Sequence, residues 1–193
     1  MKNLENLKIS KVLKHFETIS KIPRGSGNEK EISDYLINFA KNLGLEAIQD
    51  KALNVIIKKP ASKGYENAPT VIIQGHLDMV CEKNSDVEHD FLIDPIDTVV
   101  DGEWLKAKGT TLGADNGIGV ATELAILAAT DIEHGPLECL FTVDEETGLT
   151  GAFALKPGFM TGDILINLDS EDEGELFIGC AGGANTTAEF TYQ

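Results

Sequence analysis

Three short apolar runs limit this chain to few architectures: 70–74 (TVIIQ), 137–143 (LECLFTV) and 163–168 (DILINL). Each has the length and composition of a buried strand, and helical rhythms lie between and around them. Residues 7–21 carry Leu7, Val12, Leu13, Phe16 and Ile19 at helical spacing, with Ser10 as the expected N-cap. A second helix is expected over 29–42, capped by Asn28 and stopped by Gly44, and a third runs from Asp115 to about 129. A further strand is read at 54–58 (NVIIK), a short helix near 149–155, and strands at 175–178 and 186–192. The stretch 81–112 reads as an irregular excursion with a hairpin and a short strand at 103–107. This alternation predicts an α/β fold: a mixed, mainly parallel sheet with helices on both faces.

Composition narrows the partners. The longest apolar stretch, around 118–129, is interrupted by Thr122 and Glu123, so no membrane span is read. Nor does Lys2-Asn3-Leu4-Glu5 resemble a secretory signal. Cys81, Cys139 and Cys180 stand far apart with no C-x-x-C spacing, as suits a reducing cytoplasm. Thirty-two acidic against sixteen basic residues give a net charge of -16. A field of that sign repels phosphate backbones and argues against a nucleic-acid partner. It serves solubility or a cation site equally well.

The titratable residues fall where strands end or helices begin. His76 and Asp78 follow the first run, on one side of an extended backbone. Asp144, Glu145 and Glu146 follow the second, and Asp169 follows the third. Asp115 opens the third helix in the glycine-rich segment TLGADNGIG, which fits neither phosphate-loop pattern. Singly, each has a bland reading: a hydrogen-bonded histidine, a helix cap, a solvated acidic turn. Together they point to one place, because ligands in open α/β sheets collect beyond the carboxyl ends of strands. One imidazole with several carboxylates suits zinc, manganese or cobalt, and two such ions side by side form a hydrolytic clamp.

The wording of these clusters, in order, is GHLDMVCEKNSDVEHDF, DGEWLKAKGTTLGADNGIG, DEETGLTGA and INLDSEDEGELFIGCAGG. It resembles the aminoacyl-histidine dipeptidases (peptidase D), within the aminoacylase and carboxypeptidase group of dinuclear zinc peptidases. The resemblance implies hydrolysis of small dipeptides, Xaa-His among them, with two divalent metal ions, zinc foremost and cobalt or manganese as alternatives. It implies that His76, Asp115 and Asp169 hold one metal, that Asp115 bridges to the second, and that Glu146 binds the second. Asp78 then orients His76, and Glu145 is the general base. His15 and His134 are expected at the surface, and His89 in a structural role. Relatives are longer, with a lid domain, a later histidine ligand and, at full length, a possible homodimer. On this reading 1–185 is the first segment of a catalytic domain, and 186–193 starts the connection to a lid.

Overall fold

The central strand decides the rest. β6 (Leu137–Thr142) is buried at every residue, so both its edges and both its faces must be covered. In the computed structural model, which describes residues 9–170, 174–184 and 186–192, it lies in the middle of a five-stranded sheet of order β1-β2-β6-β3-β7. Its neighbours are β2 (Val55–Lys59), antiparallel, and β3 (Val71–His76), parallel. Beyond them, β1 (Glu46–Gln49) pairs antiparallel with β2, and β7 (Ile164–Asn167) pairs parallel with β3. The sheet is therefore mixed, as the alternation predicts. Because β3, β6 and β7 run the same way, the residues following all three emerge at one sheet edge.

Period two divides the strand side chains between two layers. Val55, Ile57, Ile73, Cys139 and Phe141 face the main core. There they meet Phe16 and Ile19 of α1 (Ser10–Ile19), Leu36 and Ala40 of α2 (Lys30–Leu43), and Val120, Leu124 and Leu127 of α3 (Ala114–Ala128). Ile56, Ile72 and Leu140 face the other way. They pack against Leu155, Phe159 and Met160, which follow two short helices, α4 (Glu145–Gly148) and α5 (Thr150–Ala154). The long helices thus share one face, and the second face carries a thinner cover. No helix among the described residues is long and apolar enough to cross a membrane.

Several local expectations change. Ser10 is the first residue of α1 rather than its cap, and neither α1 nor α2 has a side-chain N-cap. Asn28 reaches across to Leu92 O, while Glu29, which occupies the cap position of α2, turns to backbone N–H groups of Gly27 and Asp144. Tertiary partners have claimed both side chains. Gly44 ends α2 in the left-handed region (φ 69°), as expected. The excursion over 81–112 contains the expected hairpin, β4 (Thr98–Asp101) with β5 (Trp104–Ala107).

β7 forms where expected, yet it is exposed along its length rather than buried, since only β3 flanks it among the described residues. Neither 175–178 nor 186–192 is a strand. Leu176, Ile178, Phe190 and Tyr192 are exposed and no described strand pairs with them. An apolar run becomes a strand only when a ladder partner and a surface to cover are supplied.

Candidate metal centre

Strand β3 carries its ladder through His76, which pairs with Thr142 of β6, and Leu77 N–H then donates to Thr142 O (2.8 Å). This continuation holds the imidazole at the sheet edge with 1% of its side chain exposed. Gly75 is required beside it. A Cβ there would lie 2.5 Å from Asn116 Oδ1, which comes from the start of α3.

The two ring nitrogens face different company. Nδ1 lies 3.2 Å from Asp78 Oδ1. Nε2 lies 2.9 Å from Asp115 Oδ1, 3.7 Å from Asp169 Oδ1 and 4.0 Å from Glu145 Oε2. Two groups of three have ligand atoms all within 4.8 Å of one another: His76 with Glu145 and Asp169, and His76 with Asp115 and Glu146. The sequence candidates His76, Asp78, Asp115, Glu145, Glu146 and Asp169 are thus brought together without exception.

Asp78 differs from the others in how fully it is bonded. Its Oδ1 accepts from Glu145 N–H (3.0 Å) as well as facing the imidazole, and its Oδ2 accepts from Ser26 Oγ (2.7 Å) and Glu146 N–H (3.2 Å). A carboxylate offers about four lone-pair sites, and Asp78 has a partner for each. Burial opposes its charge, but these partners outweigh it and bring its pKa down to about 2. It is a buried anion that fixes the ring and the Glu145–Glu146 turn, with nothing left for a cation. A third acidic group joins Glu29 and Asp144 to this saturated Asp78, and Glu29 Oε1 accepts from Gly27 and Asp144 N–H at 3.0 Å each.

Charge on the Nε2 side is unbalanced. Burial works against a protonated His76, yet hydrogen bonding and charge from Asp169 and Asp78 raise its pKa to about 10. Glu145 and Glu146 are raised, first by burial and then by neighbouring carboxylates, with His76 opposing. Asp169 is lowered: burial opposes, but the imidazole prevails. A single imidazolium cannot neutralise this many carboxylates, and a nitrogen-and-oxygen donor set so arranged suits zinc or a similar divalent ion.

Sequence reasoning missed the residues that tie the site together. Arg24, 2% exposed, donates from Nη1 to Leu77 O (2.9 Å) and from Nη2 to Gly113 O (2.5 Å), linking the segment after β3 to the start of α3. Gly113 adopts φ 69°, and a Cβ there would meet Arg24 Nη2 at 2.6 Å. Burial lowers the guanidinium pKa to about 10, with Asp78 opposing, so Arg24 stays charged at neutral pH. Asn116 donates from Nδ2 to Leu168 O (2.8 Å) and Asp169 Oδ1 (3.1 Å), and so joins α3 to the end of β7. Arg24 has no local pattern that announces it, and Asn116 sits in the glycine-rich segment 111–119 with nothing in that segment to mark its role. The segment 23–27 (PRGSG) reads only as a break after a helix. His15 and His134, expected at the surface, are half-buried: His15 stacks edge-on against Phe39, and His134 Nδ1 lies 2.7 Å from Gly135 O. His89 packs edge-on against Phe91 at 4.4 Å, as a structural side chain would.

No family model matches the chain. It is 51% identical over 173 residues to the cytosol non-specific dipeptidase of Escherichia coli (strain K12), covering 90% of this chain and 36% of that protein. The crystal structure of aminoacylhistidine dipeptidase from Vibrio alginolyticus superposes with a TM-score of 0.86 at 49% identity. That match covers 89% of this chain and 35% of the other. Over the span they share, the chain is similar in sequence and fold to these two dipeptidases. It spans about a third of the length of these two relatives. A more distant likeness is to aminopeptidase PepT from Bacillus cereus ATCC 10987, at 25% identity and a TM-score of 0.71, covering 88% of this chain and 44% of that one. All three of these proteins are peptidases by name.

Proposed function

We propose that this chain is the metal-holding part of a metal-dependent dipeptidase that hydrolyses Xaa-His and other dipeptides through an activated water. One observation carries the reading: His76 Nε2 meets Asp115, Asp169 and Glu145 while Asp78 holds Nδ1. His76, Asp115 and Asp169 would hold one divalent cation, and Asp115 with Glu146 would hold a second, zinc foremost, with cobalt or manganese as alternatives. Such cations supply Lewis acidity that polarises a peptide carbonyl and acidifies water. Glu145 takes the proton of the attacking water and returns it to the leaving amine. Its raised pKa suits a group that keeps a proton between two transfers. Asp78 is a positioning residue that orients the ring and presents the Glu145–Glu146 turn.

The same proposal covers organisation and setting. Residues 1–185 act as the first segment of a catalytic domain, and 186–193 begin the connection to a lid. The working place is the cytoplasm, the substrates are small peptides rather than nucleic acid or membrane, and the full-length protein is a homodimer. The name of the Escherichia coli relative supports the cytoplasmic setting and the small-peptide substrates.

A second reading, a cation-binding module without turnover, is favoured by the open second position: Asp115 has 57% of its side chain exposed. Equilibrium dialysis with zinc, together with hydrolysis of an Xaa-His dipeptide, separates the two. The assay is run on this chain and on a version continued as in the relatives. Zinc binding with hydrolysis by the longer version supports the dipeptidase. Zinc binding with hydrolysis by neither version supports the module, and failure to bind a stoichiometric equivalent of zinc defeats both. Within the site, Glu145→Ala is expected to keep zinc and lose turnover, while Glu146→Ala weakens one zinc equivalent. Zinc loss from Glu145→Ala alone would reverse the two roles.

A further inference from the structure

Behind the candidate centre, α3 carries an acidic side chain that the proposed reaction does not use. Glu123 has no solvent exposure, and neither of its carboxyl oxygens has a hydrogen-bond partner among the described residues. Asn116, seven residues earlier in the same segment, is in the complementary condition. Its Nδ2 is engaged with Leu168 O and Asp169 Oδ1, but its Oδ1 is buried without a partner. The two orphaned groups lie in the same pocket against Gly75. A Cβ on that glycine would be 2.5 Å from Asn116 Oδ1 and 3.1 Å from Glu123 Oε2.

An ionised carboxylate buried with no donor is far costlier than a neutral acid, and an acid's O–H then needs an acceptor. The orphaned amide oxygen beside it is one. We propose that Glu123 is a positioning residue: a neutral carboxylic acid whose hydroxyl donates to Asn116 Oδ1 and thereby locks the amide that holds Asp169. With its oxygen engaged from behind, the Asn116 amide cannot flip, and both its hydrogens stay directed at the end of β7. Burial pushes the Glu123 carboxyl well above the ordinary range, and its titratable neighbour on β6, Cys139, is likewise raised by burial and stays a neutral thiol. Gly75 and Gly119 leave room for the arrangement: a Cβ at Gly119 would lie 2.3 Å from Asn116 Oδ1. The proton on Glu123 and the lock on Asn116 stand on these contacts alone. Only the consequence for cation affinity rests on the proposed role of Asp169.

The test uses the 193-residue chain and its variants Glu123→Gln and Glu123→Leu. Infrared difference spectra at neutral pH should show a protonated-carboxyl stretch that disappears in both variants. In 15N spectra, the Asn116 side-chain amide should be slow to exchange in the parent and in Glu123→Gln, whose own amide can donate to Oδ1, and fast in Glu123→Leu. Zinc affinity should be kept within about threefold by Glu123→Gln and fall about 10–100-fold in Glu123→Leu, the usual effect of losing a group behind a ligand. If the stretch is absent from the parent, the neutral acid is wrong. If Asn116 protection is equal in all three proteins, or is lost in Glu123→Gln as fully as in Glu123→Leu, the lock is wrong. If protection follows the proposal while zinc binds none of the three proteins, the inference stands and the metal reading fails. Should Glu123→Leu not fold, the parent stretch and the Glu123→Gln amide still decide.

Discussion

Asp78 touches Nδ1 of His76 from a position with no exposure and holds three further hydrogen bonds, whereas Asp115 touches Nε2 with 57% of its side chain exposed. Both are aspartates close to the same ring; local spacing does not rank them, and only the family resemblance implies different roles. Environment separates them. A carboxylate saturated with donors belongs to the scaffold, while one that faces solvent and other carboxylates keeps lone pairs for a cation. The site is thus built in two layers. A closed inner layer of Arg24, Ser26 and Asp78 sets the angles, and an open outer layer of Asp115, Glu145, Glu146 and Asp169 is available for chemistry.

Removing the inner carboxylate should do the most damage. Asp78→Ala leaves a buried imidazole, a hydroxyl and two backbone N–H groups without an acceptor. It is expected to cost about 3–5 kcal/mol of stability in urea denaturation, the range for breaking a buried charged pair. A loss under about 1 kcal/mol would erase the distinction between the layers, because that is the scale of exposed pairs.

Asp115→Ala should behave oppositely. Stability is expected to stay within about 0.5 kcal/mol, as for an exposed position, while zinc affinity falls more than about 100-fold. If instead the urea midpoint collapses and zinc binding survives, Asp115 belongs to the scaffold.

The comparison also has a pH signature. In chelator, the His76 pKa stands near 10, above its ordinary value of 6.5. The stability this contributes is complete below pH 6.5 and is lost as pH rises towards 10. Urea midpoints of the metal-free chain should therefore fall across that window, and zinc, which needs the ring unprotonated, should flatten the fall. A midpoint that does not move in chelator would mean that Asp169 and Asp78 hold no proton on the ring.

The sheet carries the same contrast of closed and open positions as the site. Leu140→Ala in buried β6 should cost about 2–5 kcal/mol, whereas Leu165→Ala in β7, with Leu165 49% exposed, should cost well under that. Equal losses in thermal or urea unfolding would show that β7 is covered in solution.

β6 and β7 also measure how far local pattern reaches. Both are short apolar runs, and both become strands because β-branched and aliphatic residues at that spacing have few alternatives. That one is enclosed and the other open depends on which strands flank them, which no local window contains. The runs at 175–178 and 186–192 have the same local character and form no strand among the described residues, for want of a partner. Gly44 was legible because a left-handed helix stop is a property of one residue. The caps assigned to Ser10 and Asn28 were not, because a cap competes with distant partners.

By itself, then, the sequence determined the runs that became β2, β3, β6 and β7, the third helix and the identity of every candidate ligand, since those depend on spacing and side-chain chemistry along a few consecutive residues; β1 it did not announce. Tertiary structure alone decided that β3, β6 and β7 run parallel and so bring His76, Glu145 and Asp169 to one edge. It also enclosed Asp78 among its donors, left Asp115 facing solvent, and drew Arg24, Asn116 and Glu123 in behind them. Those outcomes follow from burial and from contacts between residues far apart in the chain, where the cost of an unpaired polar group is set by everything that surrounds it.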